Sequence, residues 1–447
     1  MRAAAIGFLL LFGCGSADTA PFTSSGSAIF LYTRAPRYEP LAWVQGGERF
    51  PGGATVVLKK RDGTRPLAPN FAASADPAIS ADGRTILFAG KQGTNDSWQI
   101  WETSLEGGDP KRLTNCPEGC VRPFYLPEER WVYAEKKRQR FLIRASSLQG
   151  KSLALTYAPG SSLPTEVLRD GRVLFESTFP LGESGVAELY TVYSDGSGVE
   201  SYRCDHGRVR HSGKQINSGE IVFASENRLK QFNSALATEV QIASPKGDYV
   251  GDVAETASGE WLFPWRSGQG EMFRLMWWKP GHRALRPAIE ERGLNALQPV
   301  VLEDRPLPNR HPSALHDWPF ANMLCLNAYT SKYEFKPESI RSMRLYTKDG
   351  SGEPHLLGMA PVEADGSFYV QAPGDRPIQI ELLDAEGKTL KRERGWFWLR
   401  RGEQRACVGC HAGPETAPEN AQPMILLKST NPVDLTGETG HASAGGH

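Results

Sequence analysis

A strand-turn-strand phrase returns along the first two thirds of the chain. "DPAISADGRTILFAG" (76–90) is followed by "WQIWETSLEGGDPKRLT", "RPFYLPEERWVYAEK" by "FLIRASSLQGKSLALT", and "TEVLRDGRVLFES" by "ELYTVYSDGSGVESY". Weaker copies are "INSGEIVFAS" with "LATEVQIA" and "ETASGEWLFPW" with "MFRLMWWKPGHRALRP". The turn glycines Gly83, Gly171, Gly219 and Gly259 lie 88, 48 and 40 residues apart, a period of roughly 44 in which one copy lacks its glycine. A turn such as Asp82-Gly83 asks for positive φ, and the alternating apolar residues after it (Ile86, Phe88) suit a half-buried strand. One such unit cannot hide both faces of its sheet. Stacking units radially, with the last closing on the first, removes the open strand edges. With "SAIFLYTRA" and "ATVVLKKRDGTRPLA" near the start there are six units, and residues 295–308 either complete a seventh or close the ring. The pattern predicts an all-β chain with a six- to seven-bladed β-propeller over 28–307; two β-sandwiches with chance regularity are the alternative.

At 447 residues the chain exceeds what one core holds, since single cores stop growing near roughly 250–300 residues. From about residue 308 the texture changes. Residues 308–335 read as a linker rich in Pro, His and Asn that ends in a first strand, and 336–428 as a small antiparallel β domain with turns at Asp365-Gly366 and Glu386-Gly387. Residues 429–447 read as a frayed tail. Basic and acidic residues number 51 each, so no basic stripe is on offer to a phosphate backbone and nucleic acid is not an expected partner.

The start, "MRAAAIGFLLLFGCGS", has one Arg and an apolar run too short to span a bilayer, which reads as an export signal over 1–14. Its "LFGC" end resembles a bacterial lipobox, implying cleavage before Cys14 and lipidation of that thiol; a plain secretory signal and an uncleaved anchor are the alternatives. Residues 15–27 are then a flexible tether, and the expected location is periplasm, outer membrane or cell surface, with the membrane reached through the lipid.

The chemistry-bearing motif is "CVGCH", residues 407–411. Cys407 and Cys410, three apart on a helical turn, face one way and suit two thioether links to one edge of a haem c, with His411 as proximal iron ligand and Gly409 allowing close approach. A redox pair would want a βαβ context, zinc wants four ligands, and a bare disulfide suits an oxidising compartment. For the distal ligand His311 and His316 lead, Met424 follows, then His355, His441 and His447; an open distal face is the remaining case. Cys116 and Cys120 in "NCPEGC" are read as a short disulfide ahead of free thiols or a metal loop. Cys204 and Cys325 either pair or stay buried, and His206 and His211 in "CDHGRVRH" are candidates for a metal or partner site on a loop. No G-x-S-x-G, H-E-x-x-H or phosphate-binding loop is present.

The blade phrases resemble TolB-type or WD40-like repeats. The run "APVEADGSFYVQAPGDRPIQIELLDAEGKTL" with "GWFWLRRGEQRACVGCHAGPETAPEN" resembles the C-terminal c-type haem domain of hydrazine synthase alpha subunit-like proteins. That resemblance implies one covalent haem c on Cys407, Cys410 and His411, a second histidine opposite, and service as an electron relay. The family's synthase carries a further haem in an N-terminal domain where its chemistry occurs. This chain has a single such motif, so hydrazine synthesis by it alone is not expected. The expected protein is an exported monohaem cytochrome that passes electrons to redox partners docking on the propeller or haem edge. The alternatives are a propeller scaffold with a sensory or structural haem, and a haem enzyme with an open distal site.

Overall fold

The structure, a computed structural model, describes residues 28–178, 186–203, 207–234, 238–348, 352–410 and 420–437. Six antiparallel sheets follow one another from residue 30 to 301. Each begins at an inner strand: Ala73–Ile79, Cys120–Leu126, Ser162–Val167, His211–Gln215 and the broken pair Asp248–Tyr249 and Ala254–Glu255 open five of them. In the remaining sheet the inner strand is Asn295–Val301, which pairs antiparallel with Phe30–Ala35 from the start of the chain. Residues 295–301 thus close the ring, which ties the two ends of the propeller with main-chain hydrogen bonds and gives Phe30–Ala35 a partner on its inner side.

The hairpin turns explain the periodic glycines. Gly83 takes φ +70° and Gly219 φ +96°, a region where a Cβ is penalised. The copy without a glycine turns at Glu128 and Glu129, which themselves adopt φ of 65° and 54°.

A second regularity is absent from the sequence reading. Five of the six inner strands carry a bulge, at Asp76, Arg122, Thr165, Ser212 and Gln298, and in the sixth Asp252 lies in the break between its two short strands; all six residues are buried. Five of the six have φ between 51° and 57°. A bulge re-aims the side chain and sharpens the local twist, and here it turns polar groups toward the middle of the ring.

The C-terminal part is a sandwich of two four-stranded sheets. One is ordered Gln404–Cys407, Phe320–Cys325, Phe368–Pro373, Val433–Asp434; the other is Pro354–Pro361, Ser342–Lys348, Ile378–Leu383, Thr389–Arg392. Met323, Val370, Met343, Leu345 and Leu382 fill the space between them. Two expectations change here. The domain is not wholly antiparallel, because Gln404–Cys407 runs parallel to the strand holding Cys325, and Val433–Asp434 runs parallel to Phe368–Pro373. Residues 429–437, expected as tail, belong to the domain: Leu435 is buried in its core and its N–H donates to Gln371 O at 2.8 Å. Among the described residues no helix is long and apolar enough to cross a membrane. Residues 1–14, Cys14 included, and the tether lie outside the described residues.

Candidate functional site

The segment 396–410 carries the motif from the propeller surface into the sandwich. Trp398 is fully buried among propeller side chains including Leu126, Val132, Phe175 and Tyr190, and its Nε1 donates to Gly196 O at 3.1 Å. Two residues on, Arg400 Nε donates to Asp195 O at 2.9 Å and Nη1 to the Tyr157 hydroxyl at 2.5 Å, and the guanidinium pairs with Asp375. Gly402, at φ +74°, lies so close to His316 that a Cβ would sit 1.8 Å from the His316 carbonyl oxygen. The chain then enters the sheet as Gln404–Cys407, in register with Asn322–Cys325, and Leu326 N donates back to Cys407 O at 2.9 Å.

Cys407 therefore ends a strand, and Cys410 forms an isolated parallel bridge with Ser331. The expected helical turn between them is replaced by a bend. Gly409 is needed for a different neighbour than expected: a Cβ there would meet Thr330 O at 2.0 Å and Asn327 O at 2.9 Å, so the motif lies tight against the 327–330 loop.

Both cysteines line one cavity, whose other walls come from both sheets. Met323, Phe368, Ile380 and Leu382 form its walls, and Lys391 and Glu393 are the charged residues that reach it. Lys391 Nζ stands 3.6 Å from the centre of the Tyr333 ring. A third thiol, Cys325, is buried and lines the same cavity beside Cys407; of the two expectations for it, pairing or burial, the second holds, and the sole signal for its place is the long-range register. Burial raises the Cys325 thiol pKa well above its usual value, with the Cys407 and Cys410 sulfurs adding to the effect. Burial also raises that of Cys407, Arg405 pulling it down and Glu403 pushing it up.

The remaining candidates are dispersed. His311 stacks on Tyr193 at 3.7 Å between ring centres, with Nε2 3.9 Å from Asp195 Oδ2. His316 stacks on Trp318 at 4.2 Å. Neither lines the cavity. Met424 begins the short helix Met424–Lys428, its N–H donating to Asp365 Oδ2 at 2.7 Å; the adjoining Gly366 packs on Asn327 and Ala328, so Met424 lies at the cysteine end of the sandwich. His355 is on the outer strand Pro354–Pro361, away from the cavity lining. His211, expected on a loop, opens an inner propeller strand and is buried; desolvation lowers its pKa to about 4. Cys116 and Cys120 are joined in a disulfide with Cα atoms 5.8 Å apart. His411, Cys204, His206, His441 and His447 lie outside the described residues. Among the described residues no group of three or more His, Cys, Asp or Glu is arranged to hold a metal ion.

Comparison with known proteins bears on both parts. The family model for the hydrazine synthase alpha subunit middle domain matches residues 344–412, the stretch that holds the cysteine motif. Hydrazine synthase subunit alpha of Kuenenia stuttgartiensis is 34% identical over 58 residues, which cover 13% of this chain and 7% of that protein. An uncharacterized peptidase, YuxL, of Bacillus subtilis (strain 168) is 28% identical over 206 residues, 44% of this chain and 27% of that protein. The chain thus spans far less than two thirds of either curated relative. The solved structure of Kuenenia stuttgartiensis hydrazine synthase superposes with a TM-score of 0.77 at 16% identity, covering 90% of this chain and 72% of that one. The protein therefore has a hydrazine synthase alpha-like propeller fold, with the sequence match to that family lying in the sandwich that carries Cys407 and Cys410.

Proposed function

We infer that the protein is an exported monohaem c-type cytochrome-like relay that takes up and passes on single electrons. The observation that carries this reading is the convergence of Cys407 and Cys410 on one apolar cavity between two sheets. Two thiols on the lining of an apolar cavity suit an apolar macrocycle fixed along one edge. Cys407 and Cys410 would hold haem c through thioether bonds and His411 would bind its iron. When bound, such a haem supplies a one-electron couple whose potential depends on burial and on the axial ligands. The chain's own part is to exclude water with Met323, Phe368, Ile380 and Leu382, and to set the single cation Lys391 and the carboxylate Glu393 at the rim.

Export, a lipid on Cys14 and docking of a redox partner on the propeller belong to the same proposal. The Cys116–Cys120 disulfide supports an oxidising compartment. The test is a pyridine haemochrome assay on full-length protein made with a haem-attachment system. Wild type should give one covalent haem, and a Cys407→Ala, Cys410→Ala variant none; a colourless wild type with no porphyrin mass increment overturns the relay.

A second reading, a haem enzyme with an open distal site, is favoured by the engagement of His311 and His316 elsewhere. Carbon monoxide decides between them. A reduced low-spin spectrum unchanged by the gas supports the relay, and a shifted Soret band supports the open site.

A further inference from the structure

The segment that delivers the cysteines is held from the propeller side by one turn, residues 195–199, more densely than a tether between domains requires. Trp398 Nε1 donates to Gly196 O, and Arg400 Nε to Asp195 O. Gly198 N donates to Glu403 Oε1 at 3.2 Å, and Arg405 Nη1 to Val199 O at 3.3 Å. Glu403 joins these contacts into one unit: its Oε2 accepts from Arg400 N at 2.7 Å, and its Oε1 accepts from Arg405 Nε at 2.9 Å and Nη2 at 2.6 Å. Trp398, Arg400 and Glu403 are all buried, so these bonds are little weakened by competing water. From Arg405 to Cys407 there are two residues of continuous strand.

The turn is shaped for this task. Gly196 has φ +86°, and a Cβ on it would lie 2.8 Å from Arg400 Cδ. Gly198 has φ +64°, and its Cβ would meet the Tyr193 ring at 2.6 Å. A hairpin glycine of the next sheet, Gly219, in the turn between His211–Gln215 and Ile221–Ser225, has similar backbone strain at φ +96° and the same type of turn hydrogen bond, its N–H to Ile216 O at 2.9 Å where Gly196 N reaches Tyr193 O at 2.8 Å. Nothing lies within 4 Å of a Cβ placed there.

We propose that the propeller turn 195–199 is a clamp that positions the cysteine-bearing strand, with Arg400 and Glu403 as the positioning residues that fix how Cys407 presents its thiol at the cavity. This deepens the relay reading, on which it rests for its purpose and not for its geometry: the propeller holds the haem site in place as well as offering a docking face.

The test uses full-length protein made without haem-attachment machinery, with the alkylation rate of Cys407 followed by peptide mass mapping. Gly196→Ala displaces Arg400 and should speed alkylation of Cys407 about tenfold, because thiol reactivity follows local opening. Gly219→Ala brings similar backbone strain without touching the clamp and should react at the wild-type rate. Arg400→Lys, which keeps the charge but loses the guanidinium fork that reaches Asp195 O and Tyr157, should move in the same direction as Gly196→Ala and serve if that variant does not fold. Wild-type rates in folded Gly196→Ala and Arg400→Lys overturn the clamp, as does an equal acceleration in Gly219→Ala. A protein that takes up no haem yet shows this pattern loses the relay and keeps the clamp.

Discussion

The propeller channel and the sandwich cavity are both shielded from water, but they treat charge in opposite ways. In the channel Arg49 Nη2 binds both oxygens of Asp76 at 2.7 and 2.6 Å, Gln298 Nε2 adds a bond at 2.6 Å, and Arg122 donates its N–H to Asp76 and its Nη1 to Asp252. The two guanidinium groups hold the Asp76 carboxyl below the usual carboxylate range although burial pushes the other way. Of these groups only Arg122 Nε and Asp252 Oδ2 are left without a partner. The cavity of the sandwich is instead lined by apolar side chains and three cysteine thiols, with charge confined to Lys391 and Glu393. A buried polar network that pairs nearly all of its own groups has little to offer a ligand and much to lose if one member goes. The cavity instead turns thiols and apolar side chains toward open volume. The difference fits the channel to holding the ring together and the cavity to the haem site proposed above.

The largest effect should come from breaking the channel. Asp76→Ala strands Arg49 and Arg122 in the interior and should destabilise the protein by about 3–5 kcal/mol in urea unfolding. A loss below about 1 kcal/mol would mean that water reaches the channel freely. Next comes pH. Desolvation raises the Glu176 pKa to about 7, against Arg122 and Arg49, and lowers that of His211 to about 4. For Glu176 the folded state holds the proton more tightly than the unfolded state, so its contribution falls as pH rises from about 4.5 to 7. For His211 the unfolded state holds the proton more tightly, so its contribution rises with pH between about 4 and 6.5. The two nearly cancel in wild type. Glu176→Gln should expose a rising stability between pH 4.5 and 6.5, and His211→Gln a falling one; parallel profiles for the two variants would refute the assignment.

The two centres also differ in how far the sequence announces them. The hairpins were legible because Asp82-Gly83 and Asp170-Gly171 act locally, within four residues of chain. The channel ring was not, since bulge conformation at Arg122 or Gln298 is imposed by the neighbouring sheets. A trace of it was available: Asp76-Pro77, Arg122-Pro123 and Gln298-Pro299 place a polar residue before proline in three inner strands, where a missing N–H is tolerated at a bulge. Cys407 and Cys410 were legible from spacing, but Cys325 was not, because parallel pairing between segments some 80 residues apart leaves no periodic mark. Glu403 and Arg405 stood out only as part of "GEQR"; their contacts with Gly198 and Val199 depend on how the sandwich docks.

The smallest expected effect is the sharpest on the comparison. Adding carbon to a close-packed core costs about 1–3 kcal/mol. Ala89, fully buried in the cluster with Ala75, Leu87 and Trp98, is such a place, and Ala89→Val should show that loss in urea. Ala328 is equally buried but lines the cavity, so Ala328→Val has a less closely packed neighbourhood to expand into and should cost the haem-free protein less than Ala89→Val does. The same change narrows the cavity and should lower haem attachment in the assay above. If both substitutions cost the same, the cavity closes up in the haem-free protein, and the contrast with the self-sufficient channel then rests on the thiols alone.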